Sequence, residues 1–202
     1  MPTKMTYPQD DGLTASDGVM PSQTVGPFFH DALVYEHGPR VAGRDRAVIT
    51  LTGHVLDGEG APVPDALIEI WQADEHGSFV EAPGIYEEVA AGGFRGFGRC
   101  PTDGEGRYEF LTVKPGPVPT LDGEQQAPHI AMSVFARGML RRVVTRVYFE
   151  DEPAANAVDP LLCAVGENRR PTLVATGVEG GYRFDVHAQG DDETVFLDVF
   201  AR

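Results

Sequence analysis

Apolar and polar residues alternate with a period of two along most of this chain, and clusters of Gly, Asp and Pro break the alternation at short intervals. Val48–Leu56 alternates and runs into the turn Asp57-Gly58-Glu59-Gly60; Ala66–Gln72 resumes, with Ile68 and Ile70 on one face and Leu67 and Trp71 on or near the other. A second turn, Asp103-Gly104-Glu105-Gly106, leads into a strand over Arg107–Val113. Lys114–Pro119 holds three prolines and cannot be a central strand, because each removes a ladder donor. The pattern is clearest at 125–152, where two strands are predicted at roughly 129–136 and 142–150 around a turn that carries Arg137 and Gly138. Ile130, Met132, Val134 and Ala136 fall on one face of the first strand, and His129, Ala131, Ser133 and Phe135 on the other, so His129 and Ala131 are neighbours on one face. Tyr182–Ala188 and Thr194–Phe200 alternate again on either side of a Gln-Gly-Asp-Asp turn. Eight or so strands with no long helical period predict an all-β fold, an antiparallel β-sandwich with long loops. One or two short helices are expected at 153–157 and 160–170, with Asp159 or Pro160 marking a start.

The remaining stretches set the domain plan. Residues 1–20 are polar, without any period, and read as a flexible arm. Residues 21–202 form a single domain, of which 21–46 is a loop expected to dock on a partner chain; Pro21, Gly26 and Pro27 beside Phe28 and Phe29 suit an extended, pressed-down loop better than a helix. Residues 74–96 are too long for a structureless connection, and Phe79, Tyr86 and Phe94 give that loop apolar anchors, so it is expected to be docked. At 202 residues the chain can bury one substantial core. Its formal charge of −15 excludes nucleic acid and anionic membrane as partners, since either polyanion would be repelled. The opening residues lack an apolar signal core, which makes the cytoplasm the default location. Cys100 and Cys163 fit no Cys-x-x-Cys motif, and the six histidines form no His-x-His or His-Glu-x-x-His pair.

Five segments, taken together and in order, carry a resemblance: Pro-Ser-Gln-Thr-Val-Gly-Pro-Phe at 21–28, Ile-Glu-Ile-Trp-Gln-Ala-Asp at 68–74, Thr-Val-Lys-Pro-Gly at 112–116, the strand pair at 125–152, and Tyr-Arg-Phe-Asp at 182–185. The chain resembles the intradiol ring-cleaving dioxygenases, over a span from about residue 20 to residue 200. In the catalytic chains of that family two tyrosines and two histidines hold a ferric ion. Here the matching positions are Phe79, Val118, His129 and Ala131, and only the imidazole has a lone pair to give a metal. The family's arginine before the histidines matches Gln126, and its glutamine before Tyr-Phe-Glu matches Arg146. No amphipathic helix is visible in the first 45 residues, unlike the catechol-cleaving members, which favours the two-chain members that cleave protocatechuate.

The resemblance therefore implies a chain without catalytic or metal-binding residues of its own. Fe(III) would be bound by a homologous beta chain and not by this one, in a higher-order hetero-oligomer of alpha-beta pairs. Thr24, Gly26 and Pro27 would line the partner's pocket for protocatechuate, with Arg137 near its carboxylate. Two other readings stay open: a self-sufficient dioxygenase that recruits Tyr86 and His76 beside His129, and a β-sandwich binding module without an enzymatic partner.

Overall fold

The computed structural model describes residues 23–26, 28–80 and 89–199; the expected arm at 1–20 lies outside them. The strands are β1 (Val48–Leu56), β2 (Leu67–Trp71), β3 (Phe97–Pro101), β4 (Arg107–Val113), β5 (Val118–Pro119), β6 (Gln125–Gln126), β7 (His129–Phe135), β8 (Val143–Phe149), β9 (Val174–Val178), β10 (Gly181–Arg183) and β11 (Val186–His187). The helices are one or two turns each: α1 (Phe28–Ala32), α2 (Pro153–Asn156) and α3 (Pro160–Ala164), followed by a 3-10 turn at Arg170–Leu173. β1 and β4 coincide with the stretches read from alternation, and the all-β class holds.

Nine of the strands form one strongly curved sheet. β3, β2, β7 and β8 pair in that order, all antiparallel, while β4 pairs antiparallel with β1. β9 joins the two parts: Val174 and Ala175 pair parallel with Tyr148 and Phe149 of β8, and Thr176–Val178 pair antiparallel with β10. β10 and β11 run parallel to β1 in one continuous register, from Thr50↔Gly181 to Leu56↔His187. The sheet is thus mixed where a purely antiparallel one was expected, because the chain leaves β8 through α2, α3 and the 3-10 turn and so returns in the same direction.

The inward residues of both parts meet in one core. Leu51, Val55, Tyr108 and Phe110 from one side pack with Ile68, Ile70, Ile130, Met132, Val134, Val147 and Phe149 from the other, all essentially inaccessible. Removing one such aromatic, as in Phe110→Ala, costs about 3–5 kcal/mol. β1 and the β10–β11 run approach closely because Gly53 has no side chain there; a Cβ would stand 1.8 Å from the Phe184 carbonyl. At Asp185, between β10 and β11, the ladder is completed by a side chain: the carboxylate accepts the His54 backbone N–H at 2.9 Å.

Three segments differ from their sequence reading. Phe28–Ala32 winds into one helical turn rather than an extended loop, and places the Phe29 ring against Phe135 at 5.3 Å between centroids. The expected strand over Thr194–Phe200 forms no ladder within the described residues 194–199. It is tied instead through hydroxyls and two backbone bonds: Thr145 Oγ1 to the Val195 carbonyl, His187 N and Val195 N to the hydroxyls of Thr194 and Thr172, Thr194 N to the His187 carbonyl, and Leu197 N to the Val144 carbonyl. In the long loop, residues 81–88, with Tyr86, lie outside the described residues; its flanks are docked through the Ala42↔Phe94 bridge and the bidentate Arg46–Glu75 pair.

Candidate functional site

The outer face of β7 carries His129, Ala131, Ser133 and Phe135 as the alternation predicts, and the register fixes their neighbours. His129 stands opposite Tyr148, and Ala131 stands between Trp71 on β2 and Arg146 on β8. The four positions matched to metal ligands do come together. Val118 pairs with Gln126, Gln126 bonds Arg146, Arg146 flanks Ala131, Ala131 flanks Trp71, and Phe79 stacks on the Trp71 ring at 6.2 Å. The indole and the phenyl ring are both partly open, at 40% and 51% exposure.

This cluster does not fit a ferric ion. His129 Nδ1 lies 2.8 Å from the Ala127 carbonyl, which can only accept, so the ring carries its proton there and offers a single lone pair at Nε2. Burial, and then the Arg146 charge, push His129 down to about 4. Arg146 donates to Gln126 Oε1 at 2.8 Å and reaches the Tyr148 hydroxyl at 3.4 Å. That hydroxyl donates to Asp159 Oδ1 at 2.9 Å, and burial pushes its pKa up, so it is not poised as a phenolate ligand. A fixed guanidinium between His129 and Gln126 also repels a cation. Among the described residues no group of three or more His, Cys, Asp or Glu side chains is arranged to hold a metal.

Asp159 anchors this end of the fold. It is fully buried, it caps α3 by accepting from Leu161 N and Leu162 N, and its other oxygen accepts from Ala127 N at 2.9 Å. The Asp-Pro pair signals the helix start, since an N-cap acid before proline at N1 suits both positions. Its hold on Tyr148 and Ala127 leaves no trace in the sequence.

At the opposite end of β7 the polar groups face outward. The β7–β8 turn passes through Gly138 at φ 86°, and the Met139 carbonyl accepts the Val25 N–H at 2.5 Å, hooking the N-terminal loop onto the turn. Thr24 is exposed. Gly26 sits at φ 69°, and a Cβ added to it would meet nothing within 4 Å, so its glycine is demanded by backbone conformation and not by crowding within this chain. Pro27 lies outside the described residues. After α1 begins, His30 turns one ring nitrogen to the Thr102 carbonyl at 3.0 Å and the other to Asp31 at 3.2 Å. Burial pulls its pKa down, but the two bonds outweigh it and the pKa is raised, since only the imidazolium can donate to both acceptors.

Arg137 is mostly exposed, at 66% of its side chain, and its Nε lies 3.0 Å from Oδ2 of Asp65. Sequence reasoning missed Asp65: it sits in a Val-Pro-Asp turn far from residue 137, and nothing in the local pattern links the two. Thr24, Gly26 and Arg137 are thus gathered at one end of β7 and the degenerate ligand positions at the other. The six residue steps of the strand separate them by roughly 20 Å.

Comparison with known proteins gives a consistent picture. A family model described as Dioxygenase matches residues 25–184. The protocatechuate 3,4-dioxygenase alpha chain of Burkholderia cepacia is 44% identical over 197 residues, covering 89% of this chain and 96% of that one. The beta chain of the same enzyme and organism is 36% identical over 185 residues, covering 86% of this chain and 77% of that one. Among solved structures, the dioxygenase domain of a dioxygenase carbohydrate-binding protein fusion from Streptomyces sp. SirexAA-E superimposes with a TM-score of 0.53 at 25% identity, covering 84% of this chain and 97% of that one.

Proposed function

The chain belongs to the intradiol dioxygenase family, and on that premise we propose that it is the iron-free alpha subunit of a protocatechuate 3,4-dioxygenase, completing the substrate pocket of an iron-bearing beta subunit. The assembly cleaves protocatechuate with dioxygen between its two hydroxyl-bearing carbons, giving 3-carboxy-cis,cis-muconate. The observation that carries this reading is the separation along β7. The loop carrying Thr24 and Gly26 is tied by the Val25–Met139 bond to the turn that carries Arg137, a strand length away from a cluster whose side chains do not suit a metal. Groups that line a pocket but have no reactive centre beside them serve a centre on another chain.

In this role the chain supplies shape and charge. Gly26 lets the loop backbone approach the flat ring, Pro27 fixes the loop before binding and so lowers the ordering cost, and Thr24 adds a hydroxyl at the edge. Arg137 donates to the substrate's carboxylate. No helix among the described residues is long and apolar enough to cross a membrane, and we place the enzyme in the cytoplasm, as alpha-beta pairs gathered into a larger oligomer.

The test is iron content, visible absorption and oxygen uptake of this chain alone, of a beta chain alone, and of the two mixed. We expect colour and turnover to reside with the beta chain, and turnover to rise on mixing; iron and turnover in the lone chain would reject the assignment. In the mixture, Arg137→Ala should raise KM for protocatechuate by about 10–100-fold, the worth of a charge-assisted hydrogen bond, with a smaller change in kcat. An unchanged KM removes Arg137 from the pocket.

A further inference from the structure

We infer that Asp65 is a positioning residue that orients Arg137 toward the substrate's carboxylate and so sets the preference for carboxylated over plain catechols; this rests on the placing of Arg137 in the pocket. Asp65 has a rigid base. The next residue, Ala66, is fully buried, its N–H donates to Thr102 Oγ1 at 3.0 Å, and its carbonyl accepts the Thr102 N–H at 2.9 Å. Thr102 Oγ1 also bonds the Val63 carbonyl at 2.8 Å, clamping the turn on its other side. The Asp65 side chain is only 16% exposed, against 66% for Arg137, so the acid is the fixed member of the pair and the arginine the one being held.

The carboxylate is not there for packing. Its Oδ1 is buried and has no hydrogen-bond partner among the described residues, an arrangement that is unfavourable in itself. Its other oxygen faces Arg137 Nε at 3.0 Å. A guanidinium presents five donors in a rigid planar fork, so engaging Nε leaves the two terminal nitrogens for a second carboxylate. Neither makes a hydrogen bond to a described residue, and the contact with Asp65 is an ion pair at Nε. Arg137 can therefore bridge Asp65 on one edge and a ligand carboxylate on the other.

Two effects of Asp65 oppose each other. Its negative charge weakens the pull of Arg137 on an anion, while its contact restricts a long side chain that would otherwise have to be ordered when the substrate binds. Arg137 is largely in water, where Coulomb terms are screened, whereas the loss of rotamer freedom is not. Orientation wins, and removing the acid weakens binding of a carboxylated substrate.

The experiment uses the assembled alpha-beta enzyme with protocatechuate and with catechol, which lacks the carboxylate. Asp65→Asn should raise KM for protocatechuate by about 5–10-fold and leave kcat within about twofold. It should not alter kcat/KM for catechol, Asp65→Glu should recover part of the loss, and the asparagine should have no further effect once Arg137 is alanine. A KM that is unchanged or lowered in Asp65→Asn, while Arg137→Ala still raises it, overturns the role of Asp65 and leaves the pocket assignment standing. Equal losses on both substrates also overturn it, by making the effect structural. If Arg137→Ala itself leaves KM unchanged, the pocket assignment fails and the inference with it. Should Asp65→Asn not assemble, Arg137→Lys poses the same question. A single ammonium cannot bridge two carboxylates in a planar fork, so KM should rise nearly as far as in Arg137→Ala, and a retained KM overturns the bridge.

Discussion

The two ends of β7 have been put to opposite uses. Around His129 the polar groups are turned on one another: the imidazole to Ala127, Arg146 to Gln126 and Tyr148, Tyr148 to Asp159, Asp159 to two helix N–H groups and Ala127. Past Phe135 they are turned outward, with Arg137 mostly exposed and the loop at Thr24–Gly26 pinned to the turn by one backbone bond. Around His129 the network is satisfied internally, because buried donors and acceptors left open are costly. At the other end the Arg137 guanidinium is held by Asp65 on one edge and is otherwise turned to solvent. The difference teaches that the two ends of one strand are told apart by where their polar groups find partners as much as by which residues they carry.

The largest effect that could sharpen this contrast is at Asp159. Asp159→Ala removes the α3 cap and leaves the Tyr148 hydroxyl and the Ala127 N–H buried without acceptors, and should lower stability by about 3–5 kcal/mol. Urea unfolding measures this, and KM for protocatechuate in the assembled enzyme should stay unchanged at temperatures where the variant is folded. A rise in KM would mean the two ends are coupled and the contrast is false.

The two histidines should report the ends with opposite signs of pH dependence. His129 has a folded pKa of about 4, below its unfolded value near 6.5, so the unfolded chain binds more protons between those values and stability falls as pH drops through that window. The full loss is about 3 kcal/mol, reached below pH 4, and His129→Gln should remove that part of the stability curve. His30 has a raised folded pKa, so its contribution is fully present below about pH 6.5 and is lost as pH rises through the folded value. Hydrogen exchange of the Val25 amide, in the loop that α1 and His30 follow, should quicken as pH rises, beyond the intrinsic increase in exchange rate. An amide whose protection is flat across that range would separate His30 from the loop's anchorage.

The smallest effect is expected from His129→Ala on catalysis. Iron per alpha-beta pair and kcat should both stay within about twofold, because the imidazole is roughly 20 Å from the outward end. A loss of iron would return His129 to the metal and collapse the comparison.

Much of the frame could be read from alternation alone. β1 and β4 were legible because each has a strict period of two next to an Asp-Gly-Glu-Gly turn, and the same period put His129 and Ala131 on one face. β3 was not, since Phe-Gly-Arg-Cys-Pro carries no alternation, and β9 was hidden by its exposed Thr-Gly-Val end. The alternation of 194–200 was real, yet the ladder it implied is replaced by threonine hydroxyls, a substitution that no period encodes. At the site, Gln126 and Arg146 could be marked as departures one by one, but that they bond each other shows only in the folded chain, where β6 lies beside β8. Asp65 could not be found at all: its partner lies 72 positions on, and a lone acid in a turn reads as a solvated one.

The parallel run of β10 and β11 along β1 has a consequence for how the chain is made. β1 finds β4 while both are newly synthesised, but its other edge has no partner until residues 181–187 exist, far later in the sequence. Until then a nine-residue strand keeps one row of amides and carbonyls open, the kind of edge that templates pairing with other chains. Closure requires contacts between residues as distant as Thr50 and Gly181, so it belongs to the slow, late part of folding. The β10–β11 run thus acts as a latch, and losing residues 181–187 would leave a sheet that cannot be shut.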